Sequence, residues 1–174
     1  ARSPYGSGAL AGSSLGLDVR DYAAVEARVN AAADRLGGLD HVVCTAGVLR
    51  IGPLAETDPA VVREVIDVNL TGTLNVARAA YPHLRVSRGS LTVFTSSSFT
   101  RGRPDYVPYS ASKAAVVNLA QGLSDEWAAD GIRVNAMSPE RTDTPMRRAA
   151  LPHESRDGML SAAAVGLLPR WARQ

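Results

Sequence analysis

Residues 90–113 read SLTVFTSSSFTRGRPDYVPYSASK: an apolar run, a polar turn with Gly and Pro, then the opening of a helix. The β-branched and aromatic residues of SLTVFT predict a strand. Polar residues follow it at once, so Ser96 falls at the strand's C-terminal edge, where open α/β sheets place their ligands. Tyr109 and Lys113 stand four residues apart, and on a helix such a pair shares one face. An ammonium beside a phenol favours the ionised form and brings a group that titrates near about 10 closer to useful proton transfer at neutral pH. Lys113 is also the sole lysine beside eighteen arginines. A compact ammonium differs chemically from a planar guanidinium fork, so this position calls for a point charge. Taken alone, a Tyr and a Lys at this spacing are commonly two surface side chains at a helix start; the surrounding pattern gives the pair its weight.

Outward from this stretch, strands and helices alternate. LDHVVCTAG (39–47) predicts a second strand ending at Ala46 and Gly47, small residues that let a ligand approach the backbone. IRVNAM (132–137) predicts a third, opening into SPERTDTPM, a loop with two prolines and two threonines. Asp21 caps a helix with Val25, Val29, Ala32 and Leu36 at helical spacing, closed by Gly37-Gly38. Asp58 and Pro59 open the next helical region, which runs toward Tyr81-Pro82 with Gly72 expected to divide it, and Asn69 adds an amide within DVNLTGT. The helix bearing Tyr109 and Lys113 extends to Gly131, and Val116, Leu119, Leu123 and Trp127 form a stripe read as core or as the contact face of a homodimer. The alternation argues an α/β fold with a parallel sheet.

The 174 residues, 45% of them hydrophobic, fit one globular domain, 1–174. The formal charge of +2 is mild and the arginines form no basic stripe with interleaved aromatics, so nucleic-acid binding is not indicated. Cys44 is the lone cysteine, within an apolar strand, and reads as a buried inert thiol. No stretch has the length of a membrane span, no signal-peptide core is evident, and no metal site is expected. A soluble cytoplasmic protein acting on a small molecule is the expectation.

Ser96, Tyr109, Lys113 and Asn69, with these strands and glycines in this order, resemble the short-chain dehydrogenase/reductase family from about Arg2 to about Ser161. The resemblance implies a Rossmann-like, doubly wound parallel sheet and a nicotinamide cofactor, NADP(H) ahead of NAD(H). It implies a catalytic tetrad. Tyr109 would protonate a substrate carbonyl oxygen and Ser96 would hydrogen-bond the same oxygen. Lys113 would hold the nicotinamide ribose and lower the Tyr109 pKa, and Asn69 would position a water in the proton relay. Cofactor contacts would fall at Arg2, Asp18, Val19, Ala46, Gly47, Tyr109, Lys113, Pro139, Thr142 and Thr144. Arg2 would suit a 2′-phosphate, and Asp18 and Val19, at the end of a strand, would flank the adenine.

FTSSSFTRGR and NAMSPERTDTPMR are similar to the reductase part of bifunctional ribulose-5-phosphate reductase/CDP-ribitol pyrophosphorylases. Most of the family has Pro-Gly where this chain has Pro139-Glu140, and an asparagine where it has Thr45. Arg101, Arg103, Arg141, Arg147 and Arg148 fall in two loops flanking the tyrosine, where guanidinium groups suit a bidentate phosphate clamp; solvated loop arginines are the plain alternative. The resemblance thus implies reduction of a sugar-phosphate carbonyl, such as that of ribulose 5-phosphate, with a generic ketone or 3-oxoacyl reductase as the alternative. GSGALAG (6–12) follows no apolar strand and reads as a loop, and LSAAAVGLLPRWARQ reads as a helix capped by Ser161 with no strand after it. The sheet is therefore expected to be incomplete, lacking an N-terminal Gly-rich βαβ unit of about 30 residues and closing elements at the C-terminus. A catalytically silent fragment or interaction module is the second hypothesis, and a cytidylyltransferase domain upstream is left open.

Overall fold

The computed structural model describes residues 16–167. The expectations for Arg2, for the glycines of 6–12 and for the chain after 167 lie outside these residues. Strand β2 (Ser90–Phe94) is the centre of a parallel three-stranded sheet, flanked by β1 (His41–Cys44) and β3 (Arg133–Met137). The register sets Val42 beside Leu91 and Val134, and Cys44 beside Val93 and Ala136. Alternation along a strand sends these residues to one face, where Cys44, Leu91 and Val93 join a core with Ala77, Ala80, Leu84, Val116, Ala120, Trp127 and Ile132. Those partners come from α3 (Gly72–Ser87) and α4 (Val107–Trp127), except Ile132, which lies just before β3. Both connections run the same way across the sheet, and right-handed crossovers then put both helices on the same face. The fold is α/β and Rossmann-like, and α3 and α4 belong to one of the two helix layers of a doubly wound sheet. On the opposite face Val43 is 44% exposed.

Helix α1 (Tyr22–Leu36) starts where expected, with the Asp21 carboxylate accepting from the Ala24 amide at 3.1 Å, and ends at Gly37 with φ 75°. Its face differs from the expected one at the last turn. Val25 and Ala33 are buried, whereas Leu36 is 68% exposed. Leu36 has the right angular position but overhangs α3, where it rims a shallow cavity with His83 and Val86. The stripe on α4 is core: Val116 is fully buried and Trp127 packs on Tyr81 at 5.1 Å between ring centroids.

Three expectations need correction. Leu17, Asp18 and Val19 form no strand among the described residues; Val19 instead packs on α3, with its carbonyl accepting from Asn75 Nδ2 at 2.9 Å. Gly72 does not break its helix. Helix α2 (Pro59–Ile66), capped by Asp58, passes through a π turn, Asp67–Thr71, into α3, and Gly72 has ordinary helical φ of −61°. The helix then runs through Pro82 to Ser87. The reason for the glycine is space, because a Cβ there would lie 2.5 Å from Val19 Cγ2. Finally, residues 138–161 are more than a loop. They hold β4 (Thr142–Asp143), α5 (Pro145–Ala150) and β5 (Leu160–Ser161), with β4 and β5 paired in parallel. Helix α6 (Ala162–Leu167) follows, and the Ser161 hydroxyl accepts from the Ala164 amide at 3.1 Å.

Gly72→Ala should destabilise the fold by about 1–3 kcal/mol through overpacking against Val19. Gly122→Ala, in the interior of α4 with nothing within 4 Å of the new methyl, should stabilise it by up to about 1 kcal/mol. Urea unfolding of the two variants checks the opposite signs.

Candidate active site

The C-terminal ends of β1 and β2 and the first turns of α4 bring Ser96, Tyr109, Lys113, Asn69 and Gly47 together. Ser96 leaves β2 in extended conformation, φ −161°, and caps the short turn Ser97–Phe99 by accepting from the Ser98 amide at 3.3 Å. Its hydroxyl draws the Tyr109 phenol downward against the effect of burial. Tyr109, one turn into α4, is 8% exposed and packs with Leu49 and Val65.

Lys113 follows on the same face, 5% exposed, with Nζ donating to the Phe94 carbonyl at 2.9 Å. The Thr95 hydroxyl donates to the Lys113 carbonyl at 2.8 Å, so the end of β2 grips this turn from both sides. Burial holds the Lys113 ammonium down at about 8, against an ordinary 10.5.

Asn69 is fully buried within the π turn. Its Oδ1 accepts from the Val48 amide at 2.8 Å, and its Nδ2 donates to the Val48 carbonyl at 3.1 Å and to Ser112 Oγ at 3.0 Å. Ser112 donates onward to the Tyr109 carbonyl at 2.7 Å. Sequence reading passed over Ser112, although it lies inside YSASK three residues after the tyrosine and on its helical face. Gly47 faces this group. A Cβ on it would stand 3.4 Å from Asn69 Oδ1 and 3.5 Å from Lys113 Nζ, capping both polar heads.

The Lys113 ammonium is turned to the Phe94 carbonyl and lies 5.8 Å from the Tyr109 ring centroid. Burial pushes the phenol above its ordinary value, while the Ser96 hydroxyl and the Arg147 cation pull the other way.

The remaining expected residues divide. Asp18 pairs with Arg20 at 2.6 Å, which holds its carboxyl at about 2, while Val19 rests on Gly72, one turn beyond Asn69. Ala46 is half-buried against the core. Pro139 is half-buried after β3. The Thr142 hydroxyl donates to the Glu140 carbonyl at 2.8 Å, and that of Thr144 caps α5 by accepting from the Arg147 amide at 3.2 Å. The arginines do not converge as one clamp. Arg147 is bound in two places by Glu154, at 2.7 and 2.6 Å, and Arg141 lies 3.7 Å from the same carboxylate. Asp143 likewise holds Arg148 at two 2.6 Å contacts. Arg101 and Arg103 are exposed, and Arg103 reaches Ser97 Oγ at 3.3 Å. Glu154 carried no sequence signal, since the end of α5 and the turn after it separate it from Arg147.

The short chain dehydrogenase family model matches residues 12–155. Over 152 residues the chain is 43% identical to the bifunctional ribulose 5-phosphate reductase/CDP-ribitol pyrophosphorylase Bcs1 of Haemophilus influenzae, covering 87% of this chain and 32% of that protein. It is 37% identical to the cis-4-hydroxycyclohexanecarboxylate dehydrogenase of Sinomonas cyclohexanicum, over 88% of this chain and 62% of that one. The chain thus spans less than two thirds of the length of these relatives. Among solved structures, a gluconate 5-dehydrogenase from Burkholderia cenocepacia in complex with NADP and tartrate superposes with a TM-score of 0.75 at 33% identity, covering 80% of this chain and 55% of that one.

Buried Lys113 makes a pH test. Its folded value of about 8 lies below the ordinary 10.5, so between these the folded chain binds fewer protons than the unfolded one. Stability should therefore rise through this window, by at most about 1.4 kcal/mol per pH unit from this group. Lys113→Met should lose that rise, read as the difference between the two stability curves in urea.

Proposed function

The chain belongs to the short chain dehydrogenase family, and from that premise we propose an NADPH-dependent reductase of a sugar-phosphate carbonyl, such as that of ribulose 5-phosphate. The observation that carries the reading is Tyr109 and Lys113 buried one turn apart on α4, with Lys113 Nζ donating to the Phe94 carbonyl at the end of β2 at 2.9 Å. The residues fit a nicotinamide dinucleotide. Gly47 leaves open the approach to Lys113 Nζ and Asn69 Oδ1 that a side chain would fill, and Val19, Ala46, Pro139, Thr142 and Thr144 would line the adjoining edge. When bound, this group supplies the hydride.

Tyr109 gives its phenolic proton to the substrate oxygen, and Ser96 donates a hydrogen bond to the same oxygen as negative charge develops there. Lys113 presents an ammonium fixed by the Phe94 carbonyl and binds a cofactor hydroxyl. Asn69 Oδ1 uses one lone pair on the Val48 amide, and the second is available for a water of the proton relay. Exposed Arg101 and Arg103, on the loop that carries Ser96 toward Tyr109, receive the phosphate. The similarity to a ribulose 5-phosphate reductase supports this substrate. Among the described residues no helix is long and apolar enough to cross a membrane, in keeping with a small-molecule substrate.

A neutral ketone or 3-oxoacyl substrate is the second reading. What favours it is the internal pairing of Arg147 with Glu154 and of Arg148 with Asp143, beside exposed Met146 and Val107.

NADPH oxidation with D-ribulose 5-phosphate should fall about 100-fold or more in kcat for Tyr109→Phe; unchanged turnover would overturn the assignment of the acid. Arg101→Ala and Arg103→Ala together should raise KM for the sugar phosphate about tenfold or more and leave that for a neutral ketone nearly unchanged. Equal effects on both substrates would favour the second reading.

A further inference from the structure

Arg147 differs from the other arginines of its loop in its surroundings. Its side chain is only 21% exposed, and both oxygens of Glu154 hold it, through Nε at 2.7 Å and Nη2 at 2.6 Å. A bidentate carboxylate fixes the plane of the guanidinium as well as its position. On α5, Arg147 stands three residues before Ala150, which packs against the cluster of Tyr109, Leu49 and Val65. Residues three apart share a helix face, so Arg147 lies on the side of α5 toward Tyr109. Its charge acts on the phenols of Tyr106 and Tyr109, whose rings meet edge-on at 6.5 Å. Glu154 is anchored by its own amide, which donates to the Leu151 carbonyl at 3.2 Å.

We propose that Glu154 is a positioning residue for Tyr109: it holds the Arg147 guanidinium beside the Tyr106–Tyr109 pair, so that the cation supporting the Tyr109 phenolate is delivered by the α5 loop. The proposal rests on Tyr109 as the proton donor. The groups acting on the phenol or its ring are Ser96 and Tyr106 from the loop after β2, Lys113 from α4, and Arg147 from α5; Arg147 is held by Glu154, which also lies 3.7 Å from Arg141. The chain beside Leu49 adds Arg50, which is tied to Glu64 at 2.8 Å.

Holding and mere charge have opposite signs. Were Glu154 to act by its charge alone, its removal would take away a negative neighbour and Tyr109 would titrate lower. Acting by position, its removal lets the guanidinium swing into solvent, and Tyr109 titrates higher. The decisive experiment is a carbon-NMR titration of the chain labelled at the tyrosine ring carbons that bear oxygen, with the Tyr109 signal assigned by Tyr109→Phe. Arg147→Gln and Glu154→Ala should each raise the Tyr109 midpoint by about half a pH unit or more, and Glu154→Ala should add no rise in the Arg147→Gln background. Glu154→Asp keeps the charge on a shorter arm, so it too should raise the midpoint, and it carries the test should the alanine variant fail to fold. A lowered or unmoved midpoint in Glu154→Ala, or an unmoved one in Glu154→Asp, overturns the proposal. The titration needs no substrate, so absent reductase turnover defeats the proposed function alone, whereas turnover with an unmoved midpoint defeats this inference alone.

Discussion

Three hydrogen bonds from the buried Asn69 carboxamide hold the site together. They tie the chain leaving β1, at Val48, to the π turn between α2 and α3, and tie both to α4 through Ser112. Each of those pieces carries something the site uses: Gly47 beside Val48, the turn itself, and Tyr109 with Lys113 on α4. An amide with donors and an acceptor can satisfy backbone and hydroxyl at once, which an aliphatic side chain in the same volume cannot. Buried polar networks of this kind specify one arrangement when every member is paired, and leave costly vacancies when one is not.

The electrostatics of the site follow from burial more than from charge pairing. Lys113 and Tyr109 are both removed from water, and burial disfavours the charged form of each, drawing the ammonium down and the phenol up. These opposed movements carry the two groups apart in proton affinity, so that the ammonium gives up its proton more readily than the phenol does. Further adjustment comes from outside α4, through the Ser96 hydroxyl and the Arg147 guanidinium. Two loops distant in sequence therefore act on one phenol.

Much of this was legible before any coordinates. The strands were marked by short β-branched runs, and the caps at Asp21 and Asp58 by short polar residues ahead of helical spacing, because these signals are local. The grouping of Ser96, Tyr109, Lys113 and Asn69 was legible through the order of motifs. What escaped depends on partners far along the chain. Gly72 looked like a breaker because its reason, the nearness of Val19, lies more than fifty residues away. Leu36 has the right phase on α1, yet nothing in its own helix tells how far α3 extends. The arginines around Tyr109 looked like a clamp because sequence shows charge without showing which carboxylates have already claimed it, and Glu154 and Asp143 had claimed two of them.

The π turn sets the phase relation between α2 and α3. Its closing bond runs from the Gly72 amide to the Asp67 carbonyl, five residues back, where an α-helix would bridge four. One residue is thus inserted into the helical count, and everything after Thr71 is rotated by about 100° relative to a continuous α-helix. A single hydrophobic period cannot describe residues 59–87, since the stripe of α2 and that of α3 are out of step. Loss of one residue within the turn would bring the two back into step as an uninterrupted helix, well formed along its length, with the amide at Asn69 carried around to a different side.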